Sequence, residues 1–500
     1  MGGGGVRRGS GSGPSPLART GRNLALKTTG EFLARLSFFF LFIYAARVLG
    51  VDRYGLYSYG ASLAALALTG MDLGLNTLLV RDGAQRRDEV GAYAGTLLVL
   101  KAGLALSALG LIYAFCRGAG YPPAESGVIM LVAVAQVCWG FSETGVAGLN
   151  ALERMDREAV VKTLGRLAAL LLAGGMLWLG WGLWGLVGGL LAANALAAVL
   201  SLVFLWRLAP FRLRLERGFL RYLVRESLPL ALTNVFILVY FRVDMVMLEL
   251  MGRGYAEIGW YAAAVRVIDA VAVVPALVSG AALPVLSGLA RDDRRGFGRL
   301  YRQAQRLLIV LGLPAAVGLW AVREQVAVLI YGPHFAPTGR AFFWLAPALA
   351  LLFLNFLQLG ALTALGRQRL CAWSTGLCVV VNVGLNLWLI PVHGFQGAAG
   401  ATLFTEVVLF AMCAWFLRAE ADLARTARQA LRPAGAAAVM AAGLFFTRGL
   451  PLPIIIATAA VLYGGALLAF RGLTVEELVR LRAMLLRRGG WPGQGRDSCG

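Results

Sequence analysis

Residues 92–115 read AYAGTLLVLKAGLALSALGLIYAF, an apolar run broken by one charge, Lys101. A helix of that length matches the ~30 Å hydrocarbon core of a bilayer, so the run predicts a membrane-spanning helix. Similar runs lie near residues 24–43, 57–80, 126–149, 159–179, 184–206, 227–250, 258–286, 304–330, 341–365, 369–390, 398–417, 433–449 and 452–470, which makes fourteen. The whole 500-residue chain is 59% hydrophobic and 15% charged, with a mean hydropathy of +0.72. Globular domains run at about 45–50% apolar and about 25% charged. These values exclude a soluble enzyme, a disordered chain and a disulfide scaffold, and they leave no material for a large catalytic domain.

The net charge of +21 would suggest a nucleic-acid partner in a soluble protein. In a membrane protein it has a different origin, because Arg and Lys crowd the cytoplasmic loops. With the N-terminus placed in the cytoplasm, the inner segments hold 35 of the 47 basic residues and the outer loops seven. Both termini are therefore expected in the cytoplasm, and the protein in the cell (inner) membrane as a multi-pass protein. Trp178, Trp181 and Trp184 fall at an outer turn, where interfacial tryptophans belong.

The expected fold is all-α: two six-helix pseudo-repeats followed by two further helices. Residues 1–22 read as a flexible tail, 23–207 as the first bundle, 208–226 as a basic cytoplasmic linker and 227–420 as the second bundle. Residues 431–471 hold the extra helices, and 472–500 an amphipathic cytoplasmic tail, with Leu478, Leu481 and Leu485 opposite arginines. The repeat rests on Gly55-Leu56-Tyr57 and Gly259-Trp260-Tyr261, which open corresponding spans, and on Arg81-Asp82 and Arg291-Asp292, which close them. Two parallel halves joined by a cytoplasmic linker are a plan of secondary transporters. The six cysteines form no C-x-x-C pair, His334 and His393 stand alone, and no phosphate-binding loop occurs. No metal site, cofactor or nucleotide is expected.

The residues also resemble a family. The stretch RVLGVDRYGLYSYG at 47–60, MDLGL at 71–75, Arg81-Asp82, Phe241-Arg242-Val243-Asp244 and IGWYAAA at 258–264 are similar to the polysaccharide flippases. These are the O-antigen and oligosaccharide-repeat-unit translocases of the multidrug/oligosaccharidyl-lipid/polysaccharide exporter superfamily. The resemblance covers roughly residues 22–420. It implies movement of a polyprenyl-pyrophosphate-linked sugar from the cytoplasmic to the outer leaflet, for cell-surface polysaccharide synthesis, by two halves rocking about a cationic central cavity. The partners it implies are the lipid-linked sugar, the bilayer, H+ or Na+ as coupling ion, and polysaccharide polymerase or other assembly proteins.

Charges inside the spans suggest how such a substrate is handled. A cation at the bilayer centre costs ~2.5–3.5 kcal/mol on insertion scales, so it persists where it meets a wet cavity or a partner. Arg35, Arg242, Arg266 and Lys101 are the candidate pyrophosphate ligands, and Arg166 is placed to snorkel. Lys27, Glu31 and Arg35 form one stripe on the first span. Arg242 and Asp244 are two residues apart on a helix, so one of them faces away from any shared cavity. Asp72, flanked by Gly70 and Gly74, is the first candidate for ion coupling; Glu31, Glu143, Asp244, Asp269 and Glu406 are further candidates for coupling or for balancing the cations. Lipid II flippases, which also have fourteen spans, are the nearest alternative. A multidrug exporter, favouring an acidic cavity, follows, and then a membrane-embedded polysaccharide-processing enzyme, which the short outer loops disfavour.

Overall fold

Backbone N–H and C=O groups facing lipid must be satisfied within their own segment, which a helix achieves. The computed structural model describes residues 38–420, 423–447 and 450–470, and helices are their only regular elements. Lys27, Glu31, Arg35 and the 472–500 tail lie outside the described residues.

The helices run in the order α1 (Phe38–Leu49), α2 (Val51–Asp72), α3 (Leu75–Gln85), α4 (Val90–Gly118), α5 (Pro123–Ala151), α6 (Met155–Trp178) and α7 (Gly182–Leu208). The second half continues with α8 (Arg217–Leu250), α9 (Gly254–Val271), α10 (Val273–Asp292), α11 (Arg294–Ala321), α12 (Arg323–Tyr331), α13 (Thr338–Ala364), α14 (Gln368–His393) and α15 (Phe395–Phe416). Then come α16 (Leu423–Phe446) and α17 (Leu452–Ala469). Ten helical units among the described residues are long and apolar enough to cross a bilayer, and three shorter apolar helices accompany them. Trp178, Trp181 and Trp184 are exposed around the α6–α7 turn, leaving their rings free for the interface.

Three of the apolar runs are interrupted. Residues 57–80 split at Leu73 (φ 42°) and Gly74 (φ 78°), between α2 and α3. A leucine in the left-handed region costs about 1–2 kcal/mol and persists only where its surroundings hold it. Residues 258–286 divide at Ala272 between α9 and α10, and 304–330 at Val322 between α11 and α12.

The halves meet mainly through α2, which packs on α8 and α9. Gly55 lies against the Tyr255 carbonyl, and Gly259 against the Val51 carbonyl. Val51 to Tyr255 is 204 residues, and so is Gly55 to Gly259, the offset on which the expected repeat rests. Each glycine admits a backbone where any side chain would stand.

Between the halves, the chain from α7 to α8 lies along α4, where Gly91 and Gly95 leave room for the backbone of Pro210 and Arg212. Arg212 donates its N–H to the Gly91 carbonyl at 3.1 Å, and Arg214 its own to the Thr96 hydroxyl at 3.0 Å. At the α3–α8 contact Arg81 pairs with Asp82 (2.8 Å) and Glu226 (3.3 Å), and Tyr222 donates to Asp82 (2.8 Å). This ties α3 to the first turns of α8. The last two helices pack on α11 through Val310, Met440, Leu444 and Tyr463, whose hydroxyl donates to the Val310 carbonyl at 2.8 Å.

Candidate functional site

Where α2 and α3 break, the chain opens a cavity of about 690 Å³ bounded by α2–α5 on one side and α8–α9 on the other. Asp72, Asn76, Lys101, Gln136, Glu143, Arg242 and Asp269 supply its polar lining. A second cavity of about 360 Å³ adjoins it, lined by Phe38, Phe42, Tyr57, Gln136, Asn194 and again Arg242. Arg242 and Gln136 belong to both.

Lys101, the charge in the opening stretch, is 1% exposed, and its ammonium donates to Asp72 (2.6 Å), Asn76 (2.7 Å) and Thr144 (2.8 Å). Three partners take all three of its protons. In this state Lys101 balances Asp72, and an anionic substrate reaches it only by displacing that carboxylate. Asp72 itself is 41% exposed into the cavity. Asn76 and Thr144 were not singled out from sequence, although Asn76 stands one turn beyond Asp72, where a shared partner is reachable.

The cavity lining carries both signs of charge. Among the described residues it carries Arg242 and Lys101 against Asp72, Glu143 and Asp269. The charges are segregated. Asp72 and Lys101 cluster at the helix break, whereas the second cavity has Arg242 as its charged lining residue. Arg266 lies 4.2 Å above the Phe42 ring, and Tyr57 is within electrostatic reach of both Arg242 and Arg266. Two guanidiniums thus flank the aromatic wall formed by Phe42 and Tyr57, whose rings stack at 5.5 Å.

Asp244 and Glu406 lie elsewhere. Asp244, two residues beyond Arg242, is buried in the second half, where it accepts from Tyr261 (2.6 Å), Asn386 (2.6 Å) and Thr402 (3.3 Å). Glu406 accepts from Tyr240 (2.7 Å) and Asn355 (2.6 Å). Asn386 also donates to Asn382 at 3.0 Å. Both carboxylates are held by neutral donors, and the carbonyl oxygens of Asn386 and Asn355 are buried without a donor.

Near the α1–α2 junction the helices that precede and follow the α7–α8 connection are sealed together. Beyond the paired glycines, Arg47 donates to the Ile330 carbonyl at 2.7 Å and also to that of Leu329. Tyr54 meets Phe335 edge to face at 6.1 Å. The cavity lies beside this closed seam, between the helices that precede and follow the α7–α8 connection. A cavity enclosed between two groups of membrane helices is an arrangement of membrane transporters.

Comparison with known proteins supports this class. The family model described as "Polysaccharide biosynthesis protein" matches residues 20–290, and the model described as "MatE" matches residues 229–388. The chain belongs to the polysaccharide biosynthesis protein family, within the multidrug/oligosaccharidyl-lipid/polysaccharide exporter superfamily. No curated protein sequence matched it. Among solved structures, the lipid II flippase MurJ in an inward closed conformation superposes with a TM-score of 0.74 at 15% identity, over 91% of this chain and 100% of that one. An inward-facing multidrug resistance MATE family transporter superposes with a TM-score of 0.60 at 17% identity, over 78% of this chain and 98% of that one. At those identities the likeness concerns the fold.

Proposed function

We propose that the protein moves a polyprenyl-pyrophosphate-linked oligosaccharide from the cytoplasmic to the outer leaflet of the cell membrane, for surface polysaccharide synthesis, without covalent catalysis. The observation that carries this reading is Arg242, placed where the two cavities join at the boundary of the halves. A guanidinium matches phosphate oxygens bidentately, and a low-dielectric cavity strengthens the contact. Arg266 provides a second cation across the Phe42–Tyr57 wall. The family match to polysaccharide biosynthesis supports a sugar-lipid substrate.

The test is a leaflet-specific assay of lipid-linked oligosaccharide in cells lacking the gene, complemented with wild type or Arg242→Ala. Wild type restores outer-leaflet substrate. Arg242→Ala, losing a charged hydrogen-bond pair of about 1.5–3 kcal/mol, restores it roughly tenfold to a hundredfold more slowly at equal expression. Equal rates would remove Arg242 from the substrate path. Lipid II transport is the second reading, favoured by the superposition over the full length of a lipid II flippase. The same assay with labelled lipid II separates the two.

Asp244 and Glu406 are the proposed ion-coupling groups. Asp244, with the unpartnered Asn386 oxygen and the Thr402 hydroxyl nearby, offers oxygens to a proton or Na+. Flux in proteoliposomes is expected to rise with an imposed ion gradient in wild type and to lose that response in Asp244→Asn, while exchange without a gradient continues. A response that survives in the variant removes Asp244 from coupling.

A further inference from the structure

At the far end of α8 from the Arg81–Glu226 contact, four membrane helices begin or end around one hollow. There α9 starts at Gly254, α13 at Thr338 and α15 at Phe395, while α14 ends at His393. Between them lies a cavity of about 430 Å³ that shares no lining residue with the two described above. Arg253, Trp260, Arg340, Trp344, His393 and Gln396 line it.

Its walls are tied together. Glu257, in the first turn of α9, accepts the Phe395 N–H at 2.9 Å, and Gly394 (φ 58°) leaves the space that this carboxylate fills. Arg253 donates to the Pro391 carbonyl, and the Trp260 indole N–H to the His334 carbonyl at 3.1 Å. The Trp260 ring lies 5.5 Å from that of Phe395. These contacts join the α8–α9, α12–α13 and α14–α15 connections without using the side chains of Arg340 or His393, which are exposed. Among the described residues no carboxylate pairs with Arg340. With Glu257 committed to the Phe395 N–H, the two arginines leave the hollow cationic.

Depth and surroundings point to its ligand. The α9–α10 unit, α13, α14 and α15 are each long and apolar enough to cross a bilayer. Their ends therefore lie where hydrocarbon gives way to headgroups, the level of lipid phosphates and interfacial tryptophans. Val392 forms part of the rim and is 67% exposed, and Trp388, one turn earlier on α14, is 71% exposed. An apolar strip thus leads from the mouth of the cavity along the span. Two tryptophans would also suit a choline, but Arg253 and Arg340 repel a second cation.

We propose that this cavity binds the headgroup of an anionic glycerophospholipid of the surrounding bilayer. Arg340 and His393 meet the phosphate, the tryptophan rings flank the glycerol, and an acyl chain lies along α14. The planar donors of an arginine match two phosphate oxygens at once. The bound lipid bridges the start of α13 to the α14–α15 turn. The site stands apart from the substrate cavity and does not rest on the substrate reading.

The test is local hydrogen–deuterium exchange of the full chain in nanodiscs of phosphatidylcholine alone and with increasing phosphatidylglycerol. Amides at 338–345 and 391–397 are expected to exchange more slowly as phosphatidylglycerol rises, while the α6–α7 turn at 179–182 is unchanged. Arg340→Gln, which loses a charged hydrogen bond, is expected to need at least about tenfold more phosphatidylglycerol for equal protection. His393→Gln is expected to shift the response in the same direction. Both variants should match wild type in phosphatidylcholine alone, which separates a lost ligand from a loosened fold. Inorganic phosphate, lacking an acyl chain, should give no protection. Absence of protection by phosphatidylglycerol, or equal protection in wild type and both variants, overturns the proposal. Protection by inorganic phosphate, or by an added lipid-linked saccharide and not by phosphatidylglycerol, also overturns it, assigning the cavity to a free anion or to the transported substrate. Failure of the flipping assay leaves this measurement intact.

Discussion

Replacing Gly55 or Gly259 with valine is expected to disable transport while the protein still inserts into the membrane. A Cβ at Gly55 falls on the Tyr255 carbonyl, and one at Gly259 on the Val51 carbonyl. Both obstacles are helix backbone, so no side-chain rotation relieves them. Overpacking costs about 1–3 kcal/mol where neighbours shift, and here two helices have to separate. The closed seam should lose at least about tenfold in population, and flipping should fall by a similar factor or more. The distance between spin labels across the seam reads the first effect, and the leaflet assay the second. Gly110→Val is the control, because nothing lies within 4 Å of the Cβ it adds. If Gly55→Val transports as well as Gly110→Val, the glycine contact is not part of the gate.

The second large effect is an asymmetry between Asp72 and Lys101. Their side chains are 2.6 Å apart, but Lys101 is 1% exposed and Asp72 41%. Asp72→Ala strands a buried ammonium with only Asn76 and Thr144, and breaking a buried pair in this way costs about 3–5 kcal/mol. Lys101→Met leaves a carboxylate that cavity water is able to solvate, so its cost is closer to the ~1–3 kcal/mol of a lost charged hydrogen bond. The double variant Asp72→Ala/Lys101→Met should be more stable than Asp72→Ala alone. Thermal unfolding in one detergent orders the three. Additive effects, or Lys101→Met emerging as the weakest, would falsify the assignment of Lys101 as the buried member of a working pair. Since the pair sits beside the left-handed Leu73, Asp72→Ala should also loosen the α2–α3 break, seen as faster amide exchange at residues 73–76.

Much of this was legible in the chain because bilayers read hydropathy one segment at a time. Residues 92–115 needed no partner to be assigned as a helix, and the asymmetry of the loop arginines concerns single segments too. Gly55 and Gly259, picked out by the expected repeat, both lie at close helix approaches, which leave room for glycine alone. Spacing also separated Arg242 from Asp244, two positions apart on one helix, and the structure sends them to different surroundings. The break at Leu73 was not legible. Gly70 and Gly74 permitted a bend there, but whether a helix bends depends on what the freed groups meet. Nor was the partner of Lys101. Composition argued that a buried ammonium has one, without choosing among Asp72, Glu143 and a substrate phosphate.

Sequence alone therefore determined the class, an all-helical, multi-pass chain, since hydrophobic length is a local property that a membrane sorts segment by segment. Only the tertiary structure decided which charges face one another. It paired Lys101 with Asp72 and set Arg242 and Arg266 beside the Phe42–Tyr57 wall. Electrostatic pairing depends on distance in space, and that is set by how the helices cross.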